Sequence, residues 1–256
     1  MSDLDQSLER AAQLLRNARY AVGLTGAGIS TPSGIPDFRS PDSGLWNQAD
    51  PMLVASLHSF QRQPELFFNW VRPLARATIE AQPNPAHKAL ADLEGAGLLK
   101  AVITQNIDGL HQKAGSQRVH EVHGHLRLAT CMRCRRVVPA QPLLKAFLEQ
   151  PHIPRCPCGG VLKPNVVLFG EQLPADVVAA AEQDVDDCDV MLVAGSSLEV
   201  EPVASLPWRA VAHGAQLIIV NYQRTYLDGR AEVVIHDDVA EILPRIATRA
   251  VRMNGG

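Results

Sequence analysis

The sequence predicts an α/β protein: a parallel sheet covered by helices on both faces, interrupted by a helical segment and a cysteine-bearing insert. Three observations predict it. Short, continuously apolar runs at 190–194 and 216–221 alternate with helical patterns, as strands buried on both faces do. The first apolar run, 20–24, feeds directly into the glycine loop Gly26-Ala27-Gly28. Four of the five cysteines fall in two close pairs, inside a stretch that breaks the α/β rhythm.

The elements follow in order. Leu4, Leu8, Ala11, Ala12 and Leu15 share one helical face, so residues 4–17 read as an amphipathic helix. The first strand and the glycine loop come next. Residues 40–82 are proline-rich and carry Trp46, Phe60, Phe67, Phe68 and Trp70 without strand alternation, so they read as short packed helices. Pro85 opens a helix that ends near Gly95 or Gly97, and 98–104 is the next buried strand. The insert occupies 125–163. Then come a helix over 174–186 with Pro174 near its first turn, the strand 190–194, a helix over 204–213 bent at Pro207, strands at 216–221 and 231–235, and a last helix over 239–249.

With 256 residues and 46% apolar content, the chain can bury one substantial core, as one large domain or a domain with a small insertion. A net charge of -3 provides no basic footprint for nucleic acid. The polar, acidic first residues do not resemble a signal peptide, and no run is long and apolar enough to span a membrane. The expectation is therefore a cytoplasmic protein without nucleic-acid or membrane partners.

Glycines after a buried strand are how a dinucleotide pyrophosphate site begins, because backbone N–H groups can approach the phosphates closely. Here Pro32, Gly34 and Pro36 intervene where a helix would ordinarily start, so a structured loop carrying Asp37, Phe38 and Arg39 must lie over the ligand. The segment Thr104-Gln105-Asn106-Ile107-Asp108 sits past a strand's carboxyl end, where open α/β sheets bind ligands. Asn106 offers a donor and an acceptor suited to a carboxamide, and Asp108 another acceptor; an Asx turn is the alternative. Gly195, Ser196 and Ser197 end a strand with groups that can hold phosphate or ribose oxygens, and Asn221 ends the next one. Imidazoles suited to proton transfer lie at His111, His120, His123 and His125.

Cys131 and Cys134 are separated from Cys156 and Cys158 by 21 residues. Four thiolates in two short pairs can close a tetrahedral zinc site with no position left for water, which makes the ion structural. A redox pair and unrelated buried thiols are the other readings. The second pair is Cys-x-Cys, and Gly159-Gly160 behind it can relieve the tighter turn. Cys188 stands apart and reads as a small buried hydrophobe.

The string from Gly26 to Arg39, Gln105-Asn106-Ile107-Asp108, Val122-His123-Gly124, the cysteine pairs and Val167-Leu168-Phe169-Gly170-Glu171 occur in the order found in the sirtuins. Over nearly its whole length the chain resembles this family of NAD-dependent protein lysine deacylases, in its bacterial-type single-domain form. The resemblance implies a Rossmann-like part at 1–39, 83–124 and 164–256, with a smaller domain made of a helical module at 40–82 and a zinc module at 125–163.

The resemblance also implies the site. His123, Asn106 and Asp108 become the catalytic residues. NAD is held by Gly26, Ala27, Gly28, Asp37, Phe38, Arg39, Gln105, Gly195, Ser196, Ser197 and Asn221 together with those three. Val167, Phe169 and Gly170, with Val200 on the opposite edge, line the acyl-lysine tunnel and pair with an extended peptide. The implied reaction moves the acetyl group of lysine to ADP-ribose and releases nicotinamide and O-acetyl-ADP-ribose. Sirtuins that remove acidic acyl groups carry a Tyr and an Arg three positions apart in the helical module. The corresponding stretch here, 51–58, has neither, which favours an uncharged acyl group.

The alternatives are mono-ADP-ribosylation of protein and a non-catalytic module that binds NAD or ADP-ribose. A nicotinamide-dependent oxidoreductase would leave the Phe38 loop and the cysteine insert without a role.

Overall fold

A computed structural model describes residues 2–38, 44–47, 49–150 and 152–252. Arg39, expected among the cofactor-binding residues, lies outside the described residues.

The chain begins with helix α1 (Asp3–Asn17), strand β1 (Ala21–Thr25) and helices α2 (Pro51–Val54), α3 (Leu57–Arg62), α4 (Pro64–Glu80) and α5 (Pro85–Gly95). It continues through β2 (Ala101–Thr104), α6 (Leu110–Ala114), β3 (Val119–Glu121), β4 (Gly124–Cys131), β5 (Val137–Pro139), α7 (Gln141–Glu149) and β6 (Leu162–Val166). Helix α8 (Ala175–Asp187), β7 (Val190–Ala194), α9 (Leu206–Ala212), β8 (Gln216–Val220), β9 (Val233–Ile235) and α10 (Val239–Arg252) complete it.

Six strands form a parallel sheet in the order β3-β2-β1-β7-β8-β9. This is the doubly wound Rossmann order, and its direction reverses between β1 and β7. Side chains alternate between two cores along these strands, as the pleat requires. Val190, Leu192 and Ala194 pack with α1, α5 and α10 on one face, while Met191 and Val193 pack with α8 and α9 on the other. Both faces are therefore dry, which is why the strands read as continuous apolar runs.

Strands β5-β4-β6 make a separate antiparallel sheet. It extends slightly beyond 125–163, since β4 starts at Gly124 and β6 ends at Val166. Phe60, Phe67 and Phe68 of the helical segment share a third core with Phe147, Val166 and Leu168. Among the described residues, no helix is long and apolar enough to cross a membrane.

One local reading changes. Pro207 sits in the first turn of α9, after a 3-10 turn over Val203–Ser205, so it starts the helix instead of bending it. Strand β6 ends at Val166, so Val167, Phe169 and Gly170 follow it in a loop, where Gly170 adopts a left-handed conformation with φ +78°.

Candidate active site

The crevice lies where the sheet reverses. The loops after β1 and β7 touch there: Gly28 N–H donates to the Gly195 carbonyl at 2.9 Å. A Cβ on Gly26 or Gly28 would come within 2.8 or 2.9 Å of that same carbonyl oxygen. Gly195 has φ +61°, and a Cβ there would lie 2.2 Å from Ile29 N. The glycines thus let the two loops close on each other and form one continuous floor. After them the chain makes two 3-10 turns, Ala27–Ile29 and Thr31–Ser33, and Gly34 ends the second in the left-handed region.

Ser30, unnoticed in the sequence, joins Asn106 to Asp108. Asn106 Nδ2 donates to Ser30 Oγ at 3.1 Å and to the Gly26 carbonyl at 3.0 Å. Ser30 Oγ donates to Asp108 Oδ2 at 2.7 Å, and Leu110 N–H donates to Asp108 Oδ1 at 2.8 Å. Burial pushes the Asp108 carboxyl above the usual range, and these two hydrogen bonds oppose the shift.

Behind Ser30 lie two fully buried histidines. Asn84 N–H donates to His87 Nδ1 at 3.4 Å, which turns Nε2 of the neutral ring toward Ser30 Oγ, 3.5 Å away. His111 Nε2 is 2.9 Å from Thr25 Oγ1, which donates to Thr104 Oγ1 at 2.9 Å. The rings are 4.9 Å apart. Burial lowers His87 to about 4, and burial with the His87 charge lowers His111 to about 3. The helix start at Pro85 was legible, but the approach of His87 to Ser30 is a tertiary event.

His123 follows β3. Its Nδ1 is 3.1 Å from the Gln105 carbonyl, which can only accept, so Nδ1 carries the proton and a neutral ring has its lone pair on Nε2. Burial lowers its pKa and the Gln105 hydrogen bond opposes that. Gln105 Nε2 in turn donates to Ser196 Oγ at 3.0 Å, which links His123 to the loop after β7. The competing histidines are placed otherwise. His111 is buried, and His120 meets Asp184 at 2.7 Å. His125 Nδ1 accepts from Arg127 N–H at 3.2 Å.

Leu45 N–H donates to the Asp37 carbonyl at 3.0 Å and Trp46 N–H to the Phe38 carbonyl at 3.1 Å. Phe38 stacks on Trp46 at 5.0 Å, and Trp46 stacks on Trp70 at 5.3 Å. Segment 167–170 reaches both sides of the site. Val167 N–H donates to the His123 carbonyl at 2.8 Å, and Phe169 N–H to the Ala55 carbonyl at 2.9 Å. Val200 lies on the loop after β7, where its carbonyl accepts from Ala204 N–H at 2.9 Å. Asn221 is buried at the end of β8, and its carbonyl is 2.8 Å from His236 Nδ1.

The sulfurs of Cys131, Cys134, Cys156 and Cys158 all lie within 4.8 Å of one another. Cys131 and Cys158 are 3.4 Å apart, and Cys134 and Cys156 are 3.7 Å apart. A tetrahedron of zinc–sulfur bonds of about 2.3 Å has edges of about 3.8 Å, so the set fits zinc. The N–H groups of Cys134 and Arg133 hold the Cys131 thiol well below its usual pKa. Gly159 makes the turn with φ +84°. A Cβ on Gly160 would lie 2.6 Å from Cys131 Sγ, so that position must be bare. Cys188 is buried elsewhere, with its thiol pushed up to about 12 by burial.

A model of the Sir2 family matches residues 26–202. The chain belongs to the Sir2 family. Sir2 relatives match it along almost its full length. The NAD-dependent protein deacetylase of Thermodesulfovibrio yellowstonii is 44% identical over 242 residues, 94% of each chain. The NAD-dependent protein deacylase 2 of Archaeoglobus fulgidus is 43% identical over 252 residues, 98% of each. A solved Sir2 structure with a deacetylated p53 peptide and 3'-O-acetyl ADP ribose superposes with a TM-score of 0.90 at 39% identity, covering 95% of this chain and 98% of that one. A Sir2 homolog–NAD complex superposes with a TM-score of 0.86 at 39% identity, covering 96% and 94%.

Proposed function

We propose that this protein is an NAD-dependent protein lysine deacetylase that acts on acyl-lysine proteins or peptides and carries one structural zinc ion. The observation that carries this reading is the placement of His123. Its side chain hangs from the Gln105 carbonyl with Nε2 free of the proton, while its own backbone carbonyl holds Val167. One residue therefore joins a general base to the segment that would seat a peptide.

NAD, when bound, supplies an electrophilic ribose carbon with nicotinamide as its leaving group. Asn106 and Asp108, fixed by Ser30, hold the carboxamide end of nicotinamide. Gly26, Ala27 and Gly28, with Gly195, form the floor on which the phosphates lie, and Ser196 and Ser197 offer them hydroxyl groups. Asn221 binds the adenosine ribose. The Asp37–Phe38 loop covers the reacting end, and Phe38 excludes water from it. Val167, Phe169 and Gly170 pair with the peptide opposite Val200. His123 Nε2 takes the proton of a ribose hydroxyl, which then reacts at the amide carbon of the acyl group. The four cysteines hold zinc away from this chemistry and keep the small sheet in place.

The acyl group is uncharged, since residues 51–58 contain neither the Tyr nor the Arg that would bind an acid. The cytoplasm is the location that suits four reduced thiols. The test is mass spectrometry of an acetyl-lysine peptide incubated with the protein and NAD. Loss of the acetyl group, with O-acetyl-ADP-ribose and nicotinamide formed, is expected. ADP-ribose attached to protein, with the peptide still acetylated, would contradict the reading and favour a transferase.

A further inference from the structure

Lys163, on β6, is only 6% exposed. Its Nζ donates to the Val166 carbonyl at 2.7 Å and the Pro164 carbonyl at 3.2 Å, and pairs with Glu171 Oε2 at 2.9 Å. The same carboxylate oxygen accepts Leu168 N–H at 3.1 Å, and Glu171 N–H donates to the Leu168 carbonyl at 2.9 Å. The two ends of the loop 166–171 are therefore joined through one ammonium group.

Between those ends lie the contacts of segment 167–170 with its surroundings. Val167 N–H reaches the His123 carbonyl at 2.8 Å. Phe169 N–H reaches the Ala55 carbonyl at 2.9 Å, and Leu57 N–H reaches the Phe169 carbonyl at 2.9 Å. The loop thus ties the turn between β3 and β4 at His123 to the helical segment, and the Lys163 ammonium group joins its ends.

An ion pair with one buried end is a weak source of stability, because taking the Lys163 charge out of water offsets much of the attraction to the partly exposed Glu171. Well-packed apolar side chains would hold β6 as firmly. What they would not do is satisfy two carbonyls and a carboxylate at one point, which fixes the shape of a turn that has no regular secondary structure. Gly170, at φ +78° with open space around it, supplies no packing of its own.

We infer that Lys163, through Glu171 and the Val166 carbonyl, is a positioning residue that sets segment 167–170 at its distance from His123 and so determines how acyl-lysine peptides bind. The inference rests on the reading above that this segment pairs with the substrate.

The test uses the full zinc-loaded chain with Lys163→Met and with the double variant Lys163→Met/Glu171→Gln. The double variant leaves no uncompensated charge and keeps an acceptor for Leu168 N–H. Steady-state kinetics with an acetyl-lysine peptide and NAD are read beside amide exchange over 166–171. Both variants should raise the peptide KM about tenfold or more, since small misplacements of a binding group are costly. The KM for NAD should stay unchanged, and the Val167 and Leu168 amides should exchange faster. The double variant should recover the melting temperature but not the peptide KM, which a purely structural role would not predict. A folded double variant with wild-type peptide KM and wild-type exchange would overturn the inference. If the wild-type protein itself fails to deacetylate, the functional reading fails, and amide exchange in the double variant alone then decides the clamp.

Discussion

His123 Nδ1 donates to the Gln105 carbonyl at 3.1 Å, and that single bond sets the tautomer of the proposed base. A backbone acceptor cannot be removed by substitution at Gln105, so the orientation of the ring survives there. What Gln105→Ala removes is the 3.0 Å bond to Ser196 Oγ. We expect a raised KM for NAD with a smaller change in kcat. An unchanged KM for NAD would show that the Ser196 link does not shape the cofactor site.

The pH profile follows from the environment of His123. Burial lowers its pKa below the ordinary value of 6.5. The base stays deprotonated into mildly acidic solution, so the acid limb of kcat/KM for the free enzyme should have its midpoint below about 6.5. A midpoint above that value would contradict the described environment.

Ser30 joins Asn106 to Asp108, so Ser30→Ala leaves a buried carboxylate short of one donor. The cost of such a loss is about 1–3 kcal/mol, or roughly 5- to 150-fold in NAD affinity if it falls on the site. Isothermal titration with NAD measures it directly. Wild-type affinity would show that Ser30 does not shape the NAD site.

Stability should fall in acid because of His87 and His111. Their folded-state values are depressed to about 4 and about 3, whereas the unfolded chain titrates near 6.5. Between these limits the unfolded state binds more protons, so stability is full above about 6.5 and is lost as pH falls toward about 4. The slope is about 1.4 kcal/mol per pH unit for each histidine. Asp108, raised by burial, binds its proton more readily when folded and offsets part of the loss at the acid end. Urea unfolding at pH 7 and pH 5 should show the difference in the midpoint, and Asn at position 87 should reduce it. Equal midpoints would contradict the neutral buried pair.

Removal of the metal should act on the small sheet. Cys131 ends β4, and Cys156 and Cys158 precede β6, so the ion closes that sheet at one edge. Elemental analysis should find one zinc per chain. Cys134→Ala or a strong chelator should remove it and lower the melting temperature, because metal binding contributes directly to folding. Cys188→Ala should retain it. Full stability without metal would return the cysteines to the reading of unrelated thiols.

Much of this was legible in the chain. Strands β1, β2, β7 and β8 are buried on both faces, so each announced itself as an apolar run. The cysteine spacing carried its own geometry. Strand β3 did not show, because Val119-His120-Glu121 is a short edge strand with polar side chains that pair elsewhere: His120 with Asp184, Glu121 with Arg127. The Ser30, His87 and His111 network was also silent, since it joins residues 57 and 86 positions apart. The glycines were read as making room for phosphates, yet their closest neighbours are each other's loops. That contact depends on β1 and β7 being adjacent, which no local pattern states.

His123, as the base for acyl transfer, is needed for turnover and not for the fold. The most direct measurement is turnover of an acetyl-lysine peptide by His123→Ala, followed by mass spectrometry, with NAD binding measured on the same sample. The account predicts intact folding and NAD binding with a loss of about 10²–10⁴ in deacetylation rate. Undiminished deacetylation by a folded His123→Ala protein would contradict it.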